Sequence, residues 1–245
     1  MIYNHFDMRL LSIFFLLVFA CCSQKKTEKP RVVTSNPPYQ YFVERIAKGL
    51  VEVHSIVPPG VDSHTFEPTP RQRVSFEQSS LWFQIGEPFE SSLKNISEKK
   101  LTRIDLYTGI SASSDRHFWL SPKLAAQQVS LMTAALSEKF PEHALAFKAN
   151  EAQLLKELSS LDKQLKYTLS KARGRILLVS HPSFGHFCRD YSLEQLSIEH
   201  EGKEPLPKHL ESLLHRVEKS KNQLVLISLP QHNNKGLEVI AERFR

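Results

Sequence analysis

EHALAFKANEAQLLKELSSLDKQLKYTLSK, residues 142–171, decides how the rest of the chain is organised. Leucines at 154, 158, 161, 165 and 169 step by four, three, four and four, which draws one apolar stripe along a helix. No glycine or proline interrupts the stretch before Gly174. At 1.5 Å per residue, a helix of roughly thirty residues runs about 45 Å, far enough to pass from one lobe to another. The bland alternative is a solvated coiled-coil arm, but no heptad continues beyond this stretch.

Outward from that helix, apolar and β-branched runs lie at 31–34, 51–57, 81–85, 175–180 and 224–229, with helical patterns such as 39–49 and 206–218 between several of them. Strands alternating with helices imply parallel sheets. The expectation is therefore an α/β protein of two lobes. Its divisions are a signal segment over 1–22, an N-terminal α/β lobe over 30–140, a connecting helix over 141–173 and a C-terminal α/β lobe over 174–245.

Composition agrees with a folded protein: 41% of the 245 residues are hydrophobic and 24% charged, unlike a disordered chain. The 32 basic residues are scattered among 26 acidic ones with no long basic block, so the net charge of +6 does not indicate nucleic-acid binding. The run LLSIFFLLVFA, residues 10–20, follows Arg9 and precedes Cys21 and Cys22. It is too short for a stable spanning helix and fits the apolar region of a secretory signal, so the chain is expected to be exported, with translation starting at Met1 or at Met8. VFAC, residues 18–21, is similar to a bacterial lipobox, which predicts a lipid anchor on Cys21 that tethers a soluble body to the membrane surface. An ordinary cleaved signal is the alternative. Cys188 alone then remains in the folded body, so no internal disulfide is expected and the thiol reads as a small buried hydrophobe.

PPGVDSHTFEPTP, residues 58–70, sets one imidazole among four prolines. Proline fixes φ and removes a donor, so this stretch is a stiff loop that keeps its shape. His117 lies in DRHFWLSP, before a helix that Pro122 helps to start, and His181 directly follows the apolar run RILLVS. His64, His117 and His181 thus each sit at or just after the end of a strand, where parallel sheets bind ligands. Taken singly, a loop histidine is ordinarily solvated. Separations of 53 and 64 residues are too long for a zinc-finger spacing, so position relative to the strands is the only argument the residues themselves supply for grouping the three. His186 reads as a packing or surface residue, and His54, His143, His200, His209, His215 and His232 have no motif behind them. Glu67, close to His64, is a candidate to orient an imidazole through its second ring nitrogen.

PGVDSHTFEPTP followed by QSSLWFQIGEPFE, then DRHFWLSP, then SHPSFGHFCRDYSLEQLSIEHEGKEPLPKHL, resembles the zinc and manganese branch of the ABC-transporter solute-binding lipoproteins. The order and approximate spacing agree over nearly the whole chain from Arg31 onward. The resemblance implies two α/β lobes joined by a long, rigid helix, with a metal held in the cleft between them. It carries ligand roles to His64 and His117 from the first lobe and to His181 from the second. It also implies a receptor, not an enzyme, that hands its metal to an ABC permease in the membrane. Manganese-specific relatives commonly place glutamate at the third position. Imidazole at 181 therefore tilts the transported ion toward Zn²⁺, with Mn²⁺ as the alternative.

Two departures from the family pattern stand out. Many relatives take a fourth ligand from an aspartate beyond the stretch corresponding to LVLISLPQHNNKGLEVIAERFR, and Arg245 ends the sequence before that position, so a C-terminally shortened member is expected. Others place glutamate immediately before the first histidine, where this chain has Ser63. Water, Glu199 and Asp62 remain open as the fourth ligand. Three histidines with one open position also describe a catalytic zinc. The chain has no HExxH, no GxSxG and no base adjacent to the three histidines, which leaves a zinc hydrolase as a minor alternative beside a surface metal-buffering or adhesion role.

Overall fold

The computed structural model describes residues 28–94, 101–110, 115–199, 206–220 and 223–243. The signal segment over 1–22, the Cys21 anchor, the choice between Met1 and Met8, and His200 lie outside the described residues.

Two parallel sheets form the body. Strands β1 (Arg31–Thr34), β2 (Glu52–Ser55), β3 (Leu81–Gln84) and β4 (Thr102–Asp105) pair in the order β2-β1-β3-β4. Strands β5 (Ile176–Val179), β6 (Glu194–Ser197) and β7 (Leu224–Ile227) pair in the order β6-β5-β7. The central strands β1, β3 and β5 read RVVT, LWFQ and ILLV and are buried almost throughout, as expected where helices cover both faces of a parallel sheet. The five strands expected from sequence are present, each trimmed by no more than three residues. Two more, TRID in β4 and EQLS in β6, escaped the sequence reading because each is a mostly polar four-residue segment and not an apolar run.

Helices α1 (Pro37–Ala47), α2 (Pro70–Glu77) and α3 (Pro122–Lys139) belong to the first sheet, and α5 (Gly185–Tyr191), α6 (Pro207–Lys219) and α7 (Lys235–Arg243) to the second. Four of them, α1, α2, α3 and α6, begin on proline, whose missing N–H costs nothing at a first helical position. Thr69 and Gln72 form a reciprocal cap on α2, which ends the stiff loop carrying His64 at a fixed point.

The connecting helix, α4, runs from Ala144 to Leu169, 26 residues or about 39 Å. Its leucine stripe is used unevenly. Phe147 and Leu154 are buried in the first lobe's core, Leu158 packs on its edge, and Leu161 is exposed. Asn150 Nδ2 donates to Ile46 O at 2.8 Å and Arg45 pairs with Glu157, so the N-terminal half is bound to α1. The C-terminal half reaches the second lobe, where the Tyr191 hydroxyl donates to Asp162 Oδ1 at 3.2 Å. None of the helices in the described residues is long and apolar enough to cross a membrane.

Candidate metal centre

Every strand delivers a residue from its carboxyl end to one place, the crevice where open α/β sheets bind ligands. Asn36 follows β1, His64 follows β2, Glu87 follows β3, and Asp115 and His117 follow β4. From the second sheet come His181 after β5, Glu199 after β6 and His232 after β7. Asn36, His64, His117 and His232 border a cavity of about 280 Å³ whose walls also include Pro59, Asp62 and Trp119.

The three histidines singled out from sequence come together. One ring nitrogen from each of His64, His117 and His181 lies within 4.8 Å of the other two. Ring centroids are 4.8 Å apart for His64 and His181, 5.1 Å for His117 and His181, and 5.9 Å for His64 and His117. His64 Nε2 and His181 Nε2 are separated by 3.2 Å. His181 is buried, and the other two are partly exposed toward the cavity.

Each imidazole is turned by a carboxylate on its other nitrogen. Glu87 Oε2 is 3.1 Å from His64 Nδ1, Asp115 Oδ1 is 2.7 Å from His117 Nδ1, and Glu199 Oε2 is 2.7 Å from His181 Nδ1. An ionised carboxylate only accepts, so each Nδ1 holds a proton and, in the neutral ring that binds a metal, each Nε2 presents a lone pair. Three lone pairs directed at one small volume repel one another unless a cation or a proton stands among them. This arrangement of carboxylate behind imidazole is the one that orients histidine ligands of metals and raises their basicity.

The carboxylates are themselves held. Ser63 Oγ donates to Glu87 Oε1 at 2.8 Å and Asn36 Nδ2 donates to the same oxygen at 3.1 Å. Ser63 thus occupies the position where some relatives have glutamate, and it supports a carboxylate brought from β3 instead. Glu90 fixes that turn by accepting the N–H groups of Ile85 and Gly86. Gly86, at φ +85°, supplies the left-handed backbone the turn requires. Glu67 is exposed, and the orienting role expected of it falls to Glu87, because the stiff loop turns Glu67 outward while β3 ends beneath His64. Glu199 and Asp62 are both engaged, the first with His181 Nδ1 and the second with the backbone N–H of His64 at 2.9 Å.

Charge is distributed unevenly over the trio. The hydrogen bond to Glu87 raises the pKa of His64, against the opposing effect of burial. Burial, reinforced by the neighbouring His117 and His64, lowers that of His181 to about 4. Burial pushes Glu87 and Asp115 upward, but their histidine partners prevail and both carboxyls end below the usual range. Without an ion, His64 is therefore the member of the pair that takes a proton more readily, and His181 stays neutral above about pH 4.

The lobes also meet directly. His186 is buried, stacks on Phe118 with centroids 4.9 Å apart, and donates from Nε2 to Asp115 O at 3.0 Å. Arg189 donates to its Nδ1, so the ring packs between lobes and leaves no nitrogen for the cavity. Gly185 starts α5 so close to Asp115 that a Cβ there would stand 2.7 Å from Asp115 Oδ2. Cys188 is buried and free, as expected.

One residue that sequence reasoning passed over is His232. Its ring lies flat on His181, with centroids 4.2 Å apart and 2° between planes. With His181 and Glu199 it makes a second group of ligand-type atoms within 4.8 Å of one another.

Two parallel α/β lobes bridged by a long helix, with imidazoles from both converging at the strand ends, define a bilobal solute-binding protein whose cleft is built for a cation. The chain belongs to the family described as zinc-uptake complex component A, periplasmic, whose model matches residues 32–244. It is 36% identical over 208 residues to a protein of Chlamydia trachomatis described as metal-binding, covering 78% of this chain and 74% of that one. It is 28% identical over 216 residues to the high-affinity zinc uptake system protein ZnuA of Bacillus subtilis, covering 75% and 67%. Among solved structures, a crystal structure of ZnuA superposes with a TM-score of 0.81 at 33% identity, covering 89% of this chain and 88% of the other. A ZnuA deletion mutant with zinc bound gives the same TM-score and identity. The family expected from the four sequence stretches is the family found.

Proposed function

We propose that this protein is the extracytoplasmic receptor of a metal importer, that it captures Zn²⁺ in the interlobe cleft through Nε2 of His64, His117 and His181, and that it delivers the ion to an ABC permease. The observation that carries the reading is the convergence of three imidazoles, each backed by its own carboxylate, from both lobes. Three nitrogen donors suit borderline Zn²⁺ better than Mn²⁺, which prefers harder oxygen. Names of relatives point the same way.

Capture needs neutral imidazoles, so the ion displaces the proton that His64 holds. Glu87, Asp115 and Glu199 contribute negative charge next to the donors and offset the ion's charge in a partly desolvated cleft. Residues 30–140 and 174–245 serve as the two jaws and 141–173 as the strut between them. The chain performs no chemistry in this reading: Glu87, Asp115 and Glu199 are each occupied in turning a ring, and Asp62 accepts the backbone N–H of His64. The segment over 1–22 exports the chain, and a lipid on Cys21 keeps it at the membrane beside the permease.

The direct test is uptake. In cells lacking their own receptor but holding the cognate permease, the protein should restore ⁶⁵Zn accumulation, and a His64→Ala, His117→Ala, His181→Ala variant should not. Restoration by the variant, or uptake independent of the permease, would refute the role.

A further inference from the structure

His232 belongs to no motif singled out in the sequence, yet its setting is tightly constrained. It stands in the turn between β7 and α7, and that turn is cross-braced. The His232 N–H donates to Leu229 O at 3.0 Å, Asn234 Nδ2 donates to Leu229 O at 2.8 Å and to His232 O at 3.0 Å, and Asn234 Oδ1 accepts the Leu229 N–H at 3.2 Å. The side chain is only 6% exposed although the turn is at the surface. It lies flat on His181, and its Nδ1 is 3.9 Å from Asp62 Oδ2, on the loop that carries His64. His232 therefore touches the second-lobe member of the trio and faces the loop of a first-lobe member.

The second group of ligand-type residues, His181, Glu199 and His232, suggests coordination, but the ring geometry argues against it. A metal lies close to the plane of an imidazole that binds it, along the nitrogen lone pair. Two rings stacked in parallel with centroids 4.2 Å apart cannot both hold one ion in plane. While it stays stacked, His232 can only cover His181. We infer that His232 is a cap: by lying on the face of His181 and closing the cavity toward Asp62, it fixes the tilt of that ring and slows departure of the bound ion. The inference rests on the three-histidine reading above and adds to it a residue that sets the release rate.

The test is the rate at which excess chelator strips zinc from the loaded protein, compared among wild type, His232→Ala, His232→Phe and Asn234→Ala. A ring stack contributes about 0.5–1.5 kcal/mol, so loss of the cap should speed release about two- to thirteenfold in His232→Ala. Asn234→Ala, which loosens the turn without touching the site, should shift the rate the same way. His232→Phe keeps the stack but has no nitrogen, and should release zinc within about twofold of wild type if stacking is what matters. The visible spectrum of the Co²⁺-loaded protein should be the same in wild type and both His232 variants. A Phe variant as fast as the Ala variant, with a shifted Co²⁺ spectrum, would make His232 a ligand and overturn the cap. Unchanged release in His232→Ala would overturn it as well. A wild-type protein that binds no zinc would instead sink the receptor reading itself, an outcome separate from either.

Discussion

His64 Nε2 and His181 Nε2, from different lobes and 117 positions apart in the chain, lie 3.2 Å from each other with their protonated nitrogens turned away toward Glu87 and Glu199. Two lone pairs at that distance are stable only with a positive charge shared between them.

Zinc binding should release protons. His64 is raised above its ordinary pKa by Glu87, so near pH 6.5 it is charged in the free site and must lose its proton as the ion enters. Affinity should therefore climb with pH and level off once the pH exceeds the raised value for His64; His181, lowered to about 4, adds its own competition only in more acidic solution. Titration calorimetry at pH 6.5 in buffers of different ionisation enthalpy should give a net release of protons as zinc binds, with the release shrinking as the pH is raised. Binding that is flat from pH 8 to pH 5 contradicts the imidazole site.

The same proton gives a stability prediction for the metal-free protein. A histidine whose folded pKa is raised stabilises the fold fully below its unfolded value, near ~6.5, and that contribution fades as pH rises through the folded value. The His64–Glu87 pair should thus help the metal-free protein more at pH 6 than at pH 8, while zinc stabilises it more at pH 8. The increase in Tm on adding zinc should be larger at pH 8 than at pH 6. An equal or reversed increment would show that His64 is not the group displaced.

Carboxylates behind the rings should matter nearly as much as the rings. Glu87→Gln, Asp115→Asn and Glu199→Gln should each weaken zinc binding about 10–100-fold, by analogy with supporting partners of histidine ligands elsewhere. Glu67→Gln should leave affinity unchanged, since Glu67 faces solvent. A competition titration with a fluorescent chelator separates these outcomes, and a Glu67 effect equal to that of Glu87 would count against the assignment.

Gly185→Ala should act at a distance of one contact. The added Cβ would fall 2.7 Å from Asp115 Oδ2, and the carboxylate must move, taking with it the orientation of His117. We expect weaker zinc binding together with a loss of about 1–3 kcal/mol in stability from overpacking. Denaturant unfolding with and without zinc measures both. Unchanged affinity would mean that α5 can retreat without disturbing the first lobe.

The stiff loop ahead of His64 should lower the cost of ordering. Replacing Pro59 and Pro68 by alanine adds backbone freedom of about 0.4–1 kcal/mol per site, so affinity should fall roughly fourfold to thirtyfold for the pair if that freedom is frozen on binding. An identical affinity would show that the Asp62 turn and the Thr69–Gln72 cap hold the loop without help from the prolines.

What the sequence made legible follows from local physics. Strands β1, β3 and β5 were readable because burial on both faces makes them continuous apolar runs, and α4 because its stripe keeps helical spacing over many turns. Edge strands β4 and β6 were not, since TRID and EQLS carry the polar residues that solvent requires. His64, His117 and His181 were found through their positions after strands and through flanking motifs. Glu87 and His232 obey the same rule, standing after β3 and β7; Glu87 even lies inside the stretch QSSLWFQIGEPFE, but that stretch assigns it no role, and His232 has no motif behind it. Their roles arise only when distant strands end side by side, and no local pattern records that. The pairing of Glu87 with His64, in place of Glu67, shows the limit plainly: nearness in sequence pointed to one carboxylate and the sheet delivered another.

The central claim is that three imidazoles from two lobes hold one zinc ion. Calorimetric titration of the wild-type protein and of the His64→Ala, His117→Ala, His181→Ala variant with zinc tests it most directly. The account predicts tight binding of one ion per chain in the wild type and none in a variant that remains folded by circular dichroism. Equal binding by the two proteins, or no binding by a folded wild type, would contradict it.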